Sequence, residues 1–418
     1  MGSMTNAADY DIVVVGASLA GCTTAALLAG AGAQVALVER APDPANYKRV
    51  CGHFIQASAV PSLERLGVLD AMRAAGAVDS RSRLWTRWGT IESEAVPASI
   101  NLRREKLDPI VRAQAAATPG VELIAGATVT GLLREGDAVA GVELRDGTRL
   151  RAGLVVGADG RDSTVAELAR VPTRTIAHGR FSYGAYYEGP APAGAPDGTL
   201  WLLDPAWAAA FPTDDGLTLY AVMLTHDYLP AFKQDIASSL ERFVAGLPDA
   251  PPIAASRRVG DVIGKVQMPN RMRRPVQPGL ALVGDAALAT DPLWGVGCGW
   301  AVQTGEWLAD AVAPWVRGEQ SLARGLRRYR RTYQRRLAPH ARMIHGYAGG
   351  RKFDAVEKRL YAAAANDPVL AARMGRIGVR LDSPLSIVRP STIARIIRGG
   401  RRTEGYSKTT RTSPSLTA

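Results

Sequence analysis

The chain has 418 residues, more than one ordinary hydrophobic core supports, so we expect at least two domains or one large α/β unit with an insertion. Its 47% apolar and 22% charged residues are typical of a globular protein, and the long apolar stretches are interrupted before the ~18 residues that a membrane span needs. Three cysteines are too few for a disulfide framework or a metal cluster, and without a visible signal peptide we expect a cytoplasmic protein.

The formal net charge of +12 is concentrated late in the chain. Residues 317–345 hold nine Arg against one Glu (+8) and residues 389–418 hold seven Lys or Arg against one Glu (+6), which leaves the rest near −2. A basic helical stripe is most often a solvated face, and the alternative is docking of an acidic partner, such as a carrier protein or a phosphorylated substrate. We expect no nucleic-acid partner, because no recognition motif accompanies the charge.

The first informative segment predicts a βαβ unit. Residues 11–16 form a continuous β-branched run suited to a buried parallel strand, and small apolar residues predict a helix over 22–31. A second strand follows over 34–38. This order of strand, glycine turn, helix and strand is the arrangement of a dinucleotide-binding fold.

The turn of that unit, Gly16-Ala-Ser18-Leu-Ala-Gly21, carries a dinucleotide fingerprint. Gly16 permits the tight turn, Gly21 lets the helix lie close to the strand, and Ser18 is small enough to replace the usual second glycine. The free N–H groups of the helix N-terminus would face a pyrophosphate. Glu39, at the end of the second strand, would accept hydrogen bonds from an adenosine ribose.

The rest of the chain predicts further sheets and then helices. Short strand patterns over 121–158 indicate a small β-meander, and the aromatic-rich residues 176–270 indicate a second sheet. A glycine-rich turn near residue 295 leads into a helix that ends near Trp315, and a Ser/Thr-rich tail over 407–418 is predicted to be disordered. No second glycine fingerprint follows a strand, so we expect a single tightly held cofactor.

Three segments together resemble the FAD-dependent monooxygenases of the aromatic-hydroxylase (para-hydroxybenzoate hydroxylase-like) superfamily, with the related geranylgeranyl reductases and flavin halogenases. They are Gly16 to Gly21 with Glu39, Gly157-Ala-Asp159-Gly160-Arg-Asp-Ser163, and Gly284-Asp285 followed by Asp291-Pro292-Leu-Trp-Gly295-Val-Gly297. Their order and spacing match over roughly residues 9–345. The resemblance implies an α/β fold with a Rossmann-like FAD domain, a β-sheet substrate domain and a C-terminal helical region.

The resemblance also implies the contacts with FAD. Asp285 would bind the ribityl chain, the turn from Gly295 to Gly299 would lie against the isoalloxazine, and Asp159 would shape the wall near the pyrophosphate and the approach of NAD(P)H. Arg104 stands where relatives have a helix arginine that reaches FAD, the alternative being a surface arginine. The residues that we expect to bind FAD are Gly16, Ser18, Leu19, Ala20, Gly21, Glu39, Arg40, Arg49, Arg104, Asp159, Gly284, Asp285, Pro292, Gly295, Val296 and Gly297.

No residue is assigned a certain catalytic role, and three are candidates. Cys51, in a Cys-Gly pair like that of geranylgeranyl reductases, would line the active site or act as a small buried hydrophobe. His53 is a candidate proton donor with packing as its alternative, and Trp294 is a candidate for the substrate wall. The other four histidines show no metal-ligand spacing and no triad partner, so no metal is expected: His178, His226, His340 and His345.

The resemblance divides the chain into a discontinuous FAD-binding domain, a substrate domain and a C-terminal region. The predicted boundaries are 9–80, 101–175 and 276–345 for the FAD-binding domain, 81–100 and 176–275 for the substrate domain, 346–406 for the helical region and 407–418 for the tail.

The implied reaction is hydroxylation or epoxidation of an apolar, natural-product small molecule, with a flavin C4a-hydroperoxide delivering one atom of O₂. The aromatic residues Trp201, Phe211, Tyr220 and Trp294 are candidates for the substrate wall, although core packing explains each nearly as well. Electrons would come from NAD(P)H or from a partner flavin reductase that supplies FADH₂. The alternatives are a C=C reductase of the geranylgeranyl-reductase type, a flavin halogenase, whose Trp-x-Trp-x-Ile-Pro segment is missing, and a non-catalytic flavoprotein.

Overall fold

We describe the structure from a computed structural model of residues 9–249 and 251–400. The predicted disordered tail, 407–418, lies outside these residues, and the predicted helical region is described as far as residue 400.

The strands are β1 Tyr10–Val15, β2 Val35–Glu39, β3 Phe54–Ile55, β4 Val78–Ser80, β5 Ser82–Thr86, β6 Gly89–Ile91, β7 Ser99–Asn101, β8 Val121–Ala125, β9 Val129–Glu135, β10 Ala138–Leu144, β11 Arg149–Gly157, β12 Thr173–Ile176, β13 Arg180–Glu188, β14 Gly198–Leu202, β15 Trp207–Pro212, β16 Leu217–Thr225, β17 Arg257–Lys265, β18 Asn270–Arg273, β19 Val276–Gln277, β20 Leu280–Leu282 and β21 Leu288–Ala289.

The α-helices are α1 Leu19–Ala29, α2 Val60–Arg65, α3 Leu69–Ala74, α4 Arg104–Ala116, α5 Thr164–Leu168, α6 Leu229–Phe232, α7 Ile236–Ala245, α8 Gly297–Val316, α9 Leu322–Ala348, α10 Ala355–Ala364, α11 Pro368–Gly378 and α12 Pro390–Gly400.

A parallel sheet forms the centre of the first part of the fold. Its strand order is β19-β20-β11-β1-β2-β8, in which every neighbouring pair is parallel except the edge strand β19, which pairs antiparallel with β20. The four residues 12–15 at its centre are buried, as expected for a β-branched strand covered on both faces. The predicted βαβ unit is therefore present, with α1 as its crossover helix.

One detail of the predicted meander is wrong. Strand β8 does not join it but pairs in parallel with β2 at the edge of the main sheet, whereas β9, β10 and the first half of β11 form the antiparallel meander. The apolar pattern of residues 121–125 fits either partner, and the crossover through α4 places the strand beside β2.

The second large sheet has seven strands in the order β17-β13-β16-β15-β14-β5-β6. Successive side chains of each strand point to opposite faces. We call the face that joins the main hydrophobic core the inner face, and the face that packs against α6 and α7 the outer face. Buried apolar side chains of the inner face are Leu200, Leu202, Trp207, Ala209, Phe211, Leu219 and Met223.

Helices cover the back of the main sheet and complete the chain. Helix α8 packs against α1, and α9 packs against α8. The Tyr329 hydroxyl of α9 donates to the Leu282 carbonyl at 2.8 Å, which ties the helix to the end of β20. Within the described residues, no helix is long and apolar enough to cross a membrane. The predicted fold class, an α/β unit with a second sheet and C-terminal helices, is confirmed, while the domain boundaries stay predictions.

Candidate functional site

In the turn between β1 and α1, the backbone at Gly21 lies very close to the backbone at Gly16. Gly16 has a φ of +104°, and a Cβ on Gly21 would lie 1.8 Å from the Gly16 carbonyl oxygen. Only glycine satisfies both positions without moving the backbone. Ser18 is the N-cap of α1, but no side chain caps this helix, so its first N–H groups remain available to an anion.

Glu39 lies at the end of β2 and turns its carboxylate back toward the same turn. Its Oε2 accepts a hydrogen bond from the Ala17 N–H at 2.7 Å, and Oε1 accepts from the Ala41 N–H at 3.0 Å. Each oxygen keeps a further lone pair, so the carboxylate can still accept from ribose hydroxyls. Arg40 and Arg49 are exposed and have no polar partner among the described residues, so their predicted contact with FAD remains a prediction.

Helix α4 presents charged side chains on its buried face, and these support the glycine turn. Arg104 is 5% exposed and donates to Asp108 at 2.7 and 2.9 Å and to the Ser18 hydroxyl at 2.9 Å. Arg112, also buried, donates to the Ala17 carbonyl at 3.0 Å. The structure therefore brings Arg104 to the fingerprint turn rather than to the surface. Asp108 and Arg112 were missed from the sequence.

Lys48 and Asp285 form a partly accessible ion pair, with 2.9 Å between Lys48 Nζ and Asp285 Oδ2. Their side chains keep 51% and 21% of their surface accessible, although protein surrounds both groups closely enough to desolvate them. Burial alone would raise the pKa of Asp285, but the Lys48 ammonium outweighs burial and lowers it. Asp285 is thus an ionised and partly accessible acceptor, which suits a polyhydroxyl chain, and Lys48 is a third residue that sequence reasoning missed.

Asp159 has a structural partner of its own. Its carboxylate accepts from the Ser163 hydroxyl at 2.5 Å and from the Val165 N–H at 2.9 Å, which holds the start of α5. Burial raises the pKa of Asp159. The neighbouring Gly160 has a φ of +86°, and a Cβ there would meet nothing within 4 Å. The predicted role of this open wall near the pyrophosphate and in the approach of NAD(P)H stays a prediction.

The turn before α8 is held by a buried carboxylate. Asp291 accepts from the Leu293 N–H at 2.9 Å, and its other oxygen lies 2.6 Å from His178 Nε2. His178 therefore has a carboxylate partner, contrary to the sequence analysis, because the two residues are distant in the chain but meet in the fold. Gly295 ends the turn with a φ of +59°, and α8 begins at Gly297 rather than after residue 299 as predicted.

The first turn of α8 lacks a capping side chain, as does that of α1. Its N-cap residue is Val296, which has no polar group to offer. The N–H groups at this end of a 20-residue helix therefore remain available to a negatively charged partner. The helix also places Cys298 beside Cys51, with the two sulfurs 3.4 Å apart, so the predicted active-site position of Cys51 adjoins the α8 N-terminus.

His53 connects the Cys51–Gly52 loop to the second sheet. It is fully buried with a φ of +45°, and its Nδ1 lies 3.3 Å from the Tyr186 hydroxyl. Burial lowers the pKa of His53 to about 3, so the imidazole is neutral at physiological pH. If His53 acts as the predicted proton donor, the proton would therefore come from the N–H of a neutral imidazole and not from an imidazolium. Its Nε2 is buried without a hydrogen-bond partner among the described residues.

Trp294 contacts the inner face of the seven-stranded sheet. Its ring centroid lies 5.3 Å from that of Trp207 and 6.4 Å from that of Tyr347. Both indole N–H groups are buried without partners in the described part of the chain, as is Nη2 of Arg180. Arg180 belongs to the same cluster, because its Nε donates to the Tyr347 carbonyl at 2.9 Å. Three buried donors thus gather around aromatic rings.

The four aromatic residues predicted for the substrate wall lie on opposite sides of the second sheet, and their role as a substrate wall stays a prediction. Phe211 and Trp294 lie in the core on the inner side, and Phe211 stacks on Phe54 at 5.1 Å. Trp201 and Tyr220 lie on the outer face, where they pack with the residues of α6 and α7. Strand periodicity explains the difference, since neighbours along a strand face opposite sides of the sheet.

The residues present fit a flavin dinucleotide. A Cβ at Gly52 or at Gly297 would meet nothing within 4 Å, so open space adjoins the Cys51 loop and the start of α8. The same region contains two uncapped helix N-termini, a ribose acceptor in Glu39 and the accessible acceptor Asp285. These groups match the phosphates, the reduced ring, the ribose and the ribityl chain, respectively. Bound FAD would supply two-electron transfer and activation of O₂.

The fold and the site define a dinucleotide-binding flavoprotein. The profile of the FAD binding domain family matches residues 9–343, and the chain belongs to this family. The predicted resemblance is confirmed, and the protein is a flavin-dependent oxidoreductase by its relatives.

Two curated proteins and one solved structure are similar to this chain. The chain is 36% identical over 176 residues to 6-methylpretetramide 4-monooxygenase of Streptomyces rimosus, a match that covers 40% of this chain and 42% of that protein. It is 28% identical over 346 residues to ubiquinone hydroxylase UbiL of Rhodospirillum rubrum, covering 74% of each. Among solved structures, the flavin-dependent brominase Bmp2 superimposes with a TM-score of 0.74 at 19% identity, covering 96% of this chain and 100% of that one, which shows the fold alone.

Proposed function

We propose that the protein is an FAD-dependent monooxygenase that hydroxylates or epoxidises an apolar, natural-product small molecule in the cytoplasm. One observation carries the proposal: both loops that would hold the flavin also touch the inner face of the second sheet. Phe54, the residue of β3 that directly follows the Cys51 loop, stacks on Phe211, and Trp294 of the turn before α8 meets Trp207 edge to face. A substrate bound against that face would lie beside the flavin and away from water.

The chemistry of the inner face indicates what this substrate carries. The aromatic rings suit a flat apolar molecule, and three unpartnered donors suit an oxygen acceptor on it: Arg180 Nη2, Trp207 Nε1 and Trp294 Nε1. Arg180 is 1% exposed, and burial lowers its pKa to about 10. A phenolate, enolate or carboxylate would offset the cost of that buried charge. We therefore expect an aromatic or polyketide-like molecule with an acidic oxygen.

Two relatives support hydroxylation, since they are named as a monooxygenase and a hydroxylase. The runner-up is a C=C reductase. It rests on the Cys51-Gly52 pair and on 23% identity over 357 residues to a digeranylgeranylglycerophospholipid reductase of Thermoplasma acidophilum, covering 78% of this chain and 84% of that protein. Flavin halogenation is a further alternative, whose Trp-x-Trp-x-Ile-Pro segment this chain does not have.

An anaerobic absorbance titration followed by ¹⁸O₂ distinguishes these reactions. We expect NADH, NADPH or a flavin reductase to bleach the flavin band, and one labelled oxygen atom to appear in an aromatic acceptor substrate. Reduction by nucleotide alone would mean a self-contained enzyme, and a requirement for a reductase would mean a two-component system. A product that gains two hydrogens and no label would replace the proposal with the C=C reductase, and a protein that takes up no FAD would refute it.

Two tryptophans of the same sheet offer a matched pair of variants for the substrate site. Trp207→Phe removes an unpartnered N–H from the inner face, so we expect KM for an acceptor-bearing substrate to rise about tenfold, the loss of about 1.4 kcal/mol for one hydrogen bond. Trp201→Phe removes an N–H that donates to the Pro248 carbonyl on the outer face, and KM should stay unchanged. Equal effects of both variants would contradict the proposed position of the substrate.

We also propose that the outer side of α9 docks an acidic carrier protein that presents the substrate. Exposed arginines follow one another along this helix, and no carboxylate pairs with them in the described residues: Arg324, Arg327, Arg328, Arg331, Arg335 and Arg342. Reversing the charge at Arg327, Arg328 and Arg331 should abolish carrier binding, measured by titration calorimetry, and leave flavin occupancy unchanged. Unchanged binding would mean that the stripe is a solvated surface.

A further inference from the structure

Two thiols from distant parts of the chain meet beside the proposed flavin site. Cys51 lies in the loop between β2 and β3, Cys298 lies in the first turn of α8, and their sulfurs are 3.4 Å apart. A disulfide bond is ~2.05 Å long, so the sulfurs need to approach by only about 1.3 Å. Open space adjoins the Cys51 loop, because a Cβ at its neighbour Gly52 would meet nothing within 4 Å.

The surroundings of this pair favour a thiolate. Arg104 Nη1 lies 3.5 Å from the Cys51 sulfur and 3.8 Å from the Cys298 sulfur. Cys298 also occupies an uncapped helix N-terminus, where the N–H groups stabilise negative charge. The Arg104 guanidinium is fixed beside the two sulfurs, because it is buried and forms hydrogen bonds with Asp108 and Ser18.

The two sulfurs differ in acidity and in access. The hydrogen bond between the two sulfurs lowers the pKa of Cys51, with burial opposing it and the positive charges of Arg104 and Lys48 adding to it. The same hydrogen bond raises the pKa of Cys298, which therefore keeps its proton. Cys298 is only 5% exposed, whereas Cys51 is partly accessible. An attacking thiolate and a buried resolving thiol thus lie side by side, which is the arrangement of a redox-sensitive cysteine pair.

We propose that Cys51 and Cys298 form a redox-active pair that closes to a disulfide on exposure to hydrogen peroxide. The Cys51 thiolate attacks one peroxide oxygen, the O–O bond breaks, and a sulfenic acid and hydroxide form. The Cys298 thiol then attacks the sulfenic sulfur, the S–O bond breaks, and a disulfide and water form. Two cysteine sulfurs are oxidised by two electrons in total, and peroxide is reduced to one hydroxide and one water, the water carrying away the thiol proton of Cys298. External dithiol reverses the reaction by exchange.

The experiment follows the thiols and does not depend on turnover. The purified protein, with the flavin that it carries, is first treated with dithiothreitol to reduce its thiols and is then desalted. It is treated with stoichiometric peroxide, denatured and alkylated. Its peptides are mapped by mass spectrometry without a further step that would reduce disulfides. We expect a crosslinked Cys51–Cys298 peptide that dithiothreitol removes, while Cys22, fully buried with a pKa that burial raises to about 12, stays alkylatable and serves as the internal control. Absence of the crosslink with all thiols intact, or oxidation of Cys22 at the same rate, would overturn the proposal.

Two conservative variants test the order of the steps. In Cys298→Ser, Cys51 should stop at the sulfenic acid, which dimedone traps. In Cys51→Ser, Cys298 should react with peroxide at least tenfold more slowly than Cys51 does in the wild type, because it is buried and protonated. Equal peroxide reactivity of the two single variants would refute the assignment of Cys51 as the attacking sulfur. The Lys48→Gln variant, which removes an accessible positive charge, should slow sulfenic acid formation without unfolding the site.

Discussion

Burial of His53 predicts a specific loss of stability in mild acid. Burial lowers its pKa to about 3 in the folded protein, whereas an unfolded histidine titrates near ~6.5. Between these values the unfolded chain binds a proton that the folded protein does not, so stability falls as the pH falls from ~6.5 toward ~3. The contribution is absent above ~6.5 and amounts to about 1.4 kcal/mol at pH 5.5, one unit below the unfolded pKa.

The His53→Gln variant isolates that contribution. For a chain of 418 residues, about 1.4 kcal/mol corresponds to roughly 1.6 °C in Tm. We therefore expect the fall in Tm between pH 7.5 and 5.5 to be about 1.6 °C smaller in the variant than in the wild type. His340, whose pKa burial also lowers, to about 4, acts equally in both proteins and cancels in the difference.

The assay is differential scanning fluorimetry at both pH values, with flavin absorbance recorded so that both proteins carry the same FAD occupancy. His226→Gln is the matched control, since His226 is half-buried and its Nε2 lies 3.1 Å from the Val266 carbonyl. This control should keep the wild-type difference between the two pH values. If His53→Gln also keeps it, His53 is protonated in the folded protein or titrates as it does in the unfolded chain, and the burial argument fails.

Two further predictions concern FAD and its support. Gly21→Ala should abolish FAD occupancy, measured by absorbance after purification, because its Cβ would lie 1.8 Å from a backbone oxygen, whereas Gly349→Ala meets nothing within 4 Å and should retain the flavin. Arg104→Met should reduce the free energy of unfolding by about 3–5 kcal/mol, because it leaves Asp108 without its buried partner. In a double-mutant cycle measured by urea titration, adding Asp108→Leu should recover part of that loss. Additive losses would show that the pair is not coupled.

Local patterns predicted the first βαβ unit and its glycine turn correctly. A β-branched run, a small-residue helix and glycines at fixed spacing are properties of adjacent residues, so no long-range information is needed to interpret them. The Asp291 turn was found in the same way, but its partner His178 was not. That contact joins residues 113 positions apart, and no local pattern encodes it.

The sequence does contain a pattern that indicates the charged residues of α4 that support the glycine turn. Arg104, Asp108 and Arg112 are spaced by four, so they share one face of a helix, and the apolar Leu107 and Val111 place that face in the core. Charged residues at core positions of an amphipathic helix are costly unless they are paired, so the pattern itself indicates a buried polar network.

The faces of the second sheet could not be assigned from the sequence. An alternating strand predicts that Trp201 and Leu202 face opposite sides, but it does not say which side meets the flavin domain. Apolar side chains occupy both faces here, because α6 and α7 cover the outer one. Tertiary packing therefore decided that Trp207 and Phe211 lie inside while Trp201 and Tyr220 do not.

The charges around the proposed FAD site suggest how FAD would be held. Arg104 is paired with Asp108 and Lys48 with Asp285, so neither pair brings a net positive charge to a pyrophosphate. The uncapped N-terminus of α1 adds an attraction that these pairs do not supply, through N–H groups that act only at close range. Close approach is what Gly16 and Gly21 provide, since side chains there would clash with backbone. FAD affinity should accordingly depend strongly on these glycines and only weakly on ionic strength, because paired and partly buried charges are little affected by salt.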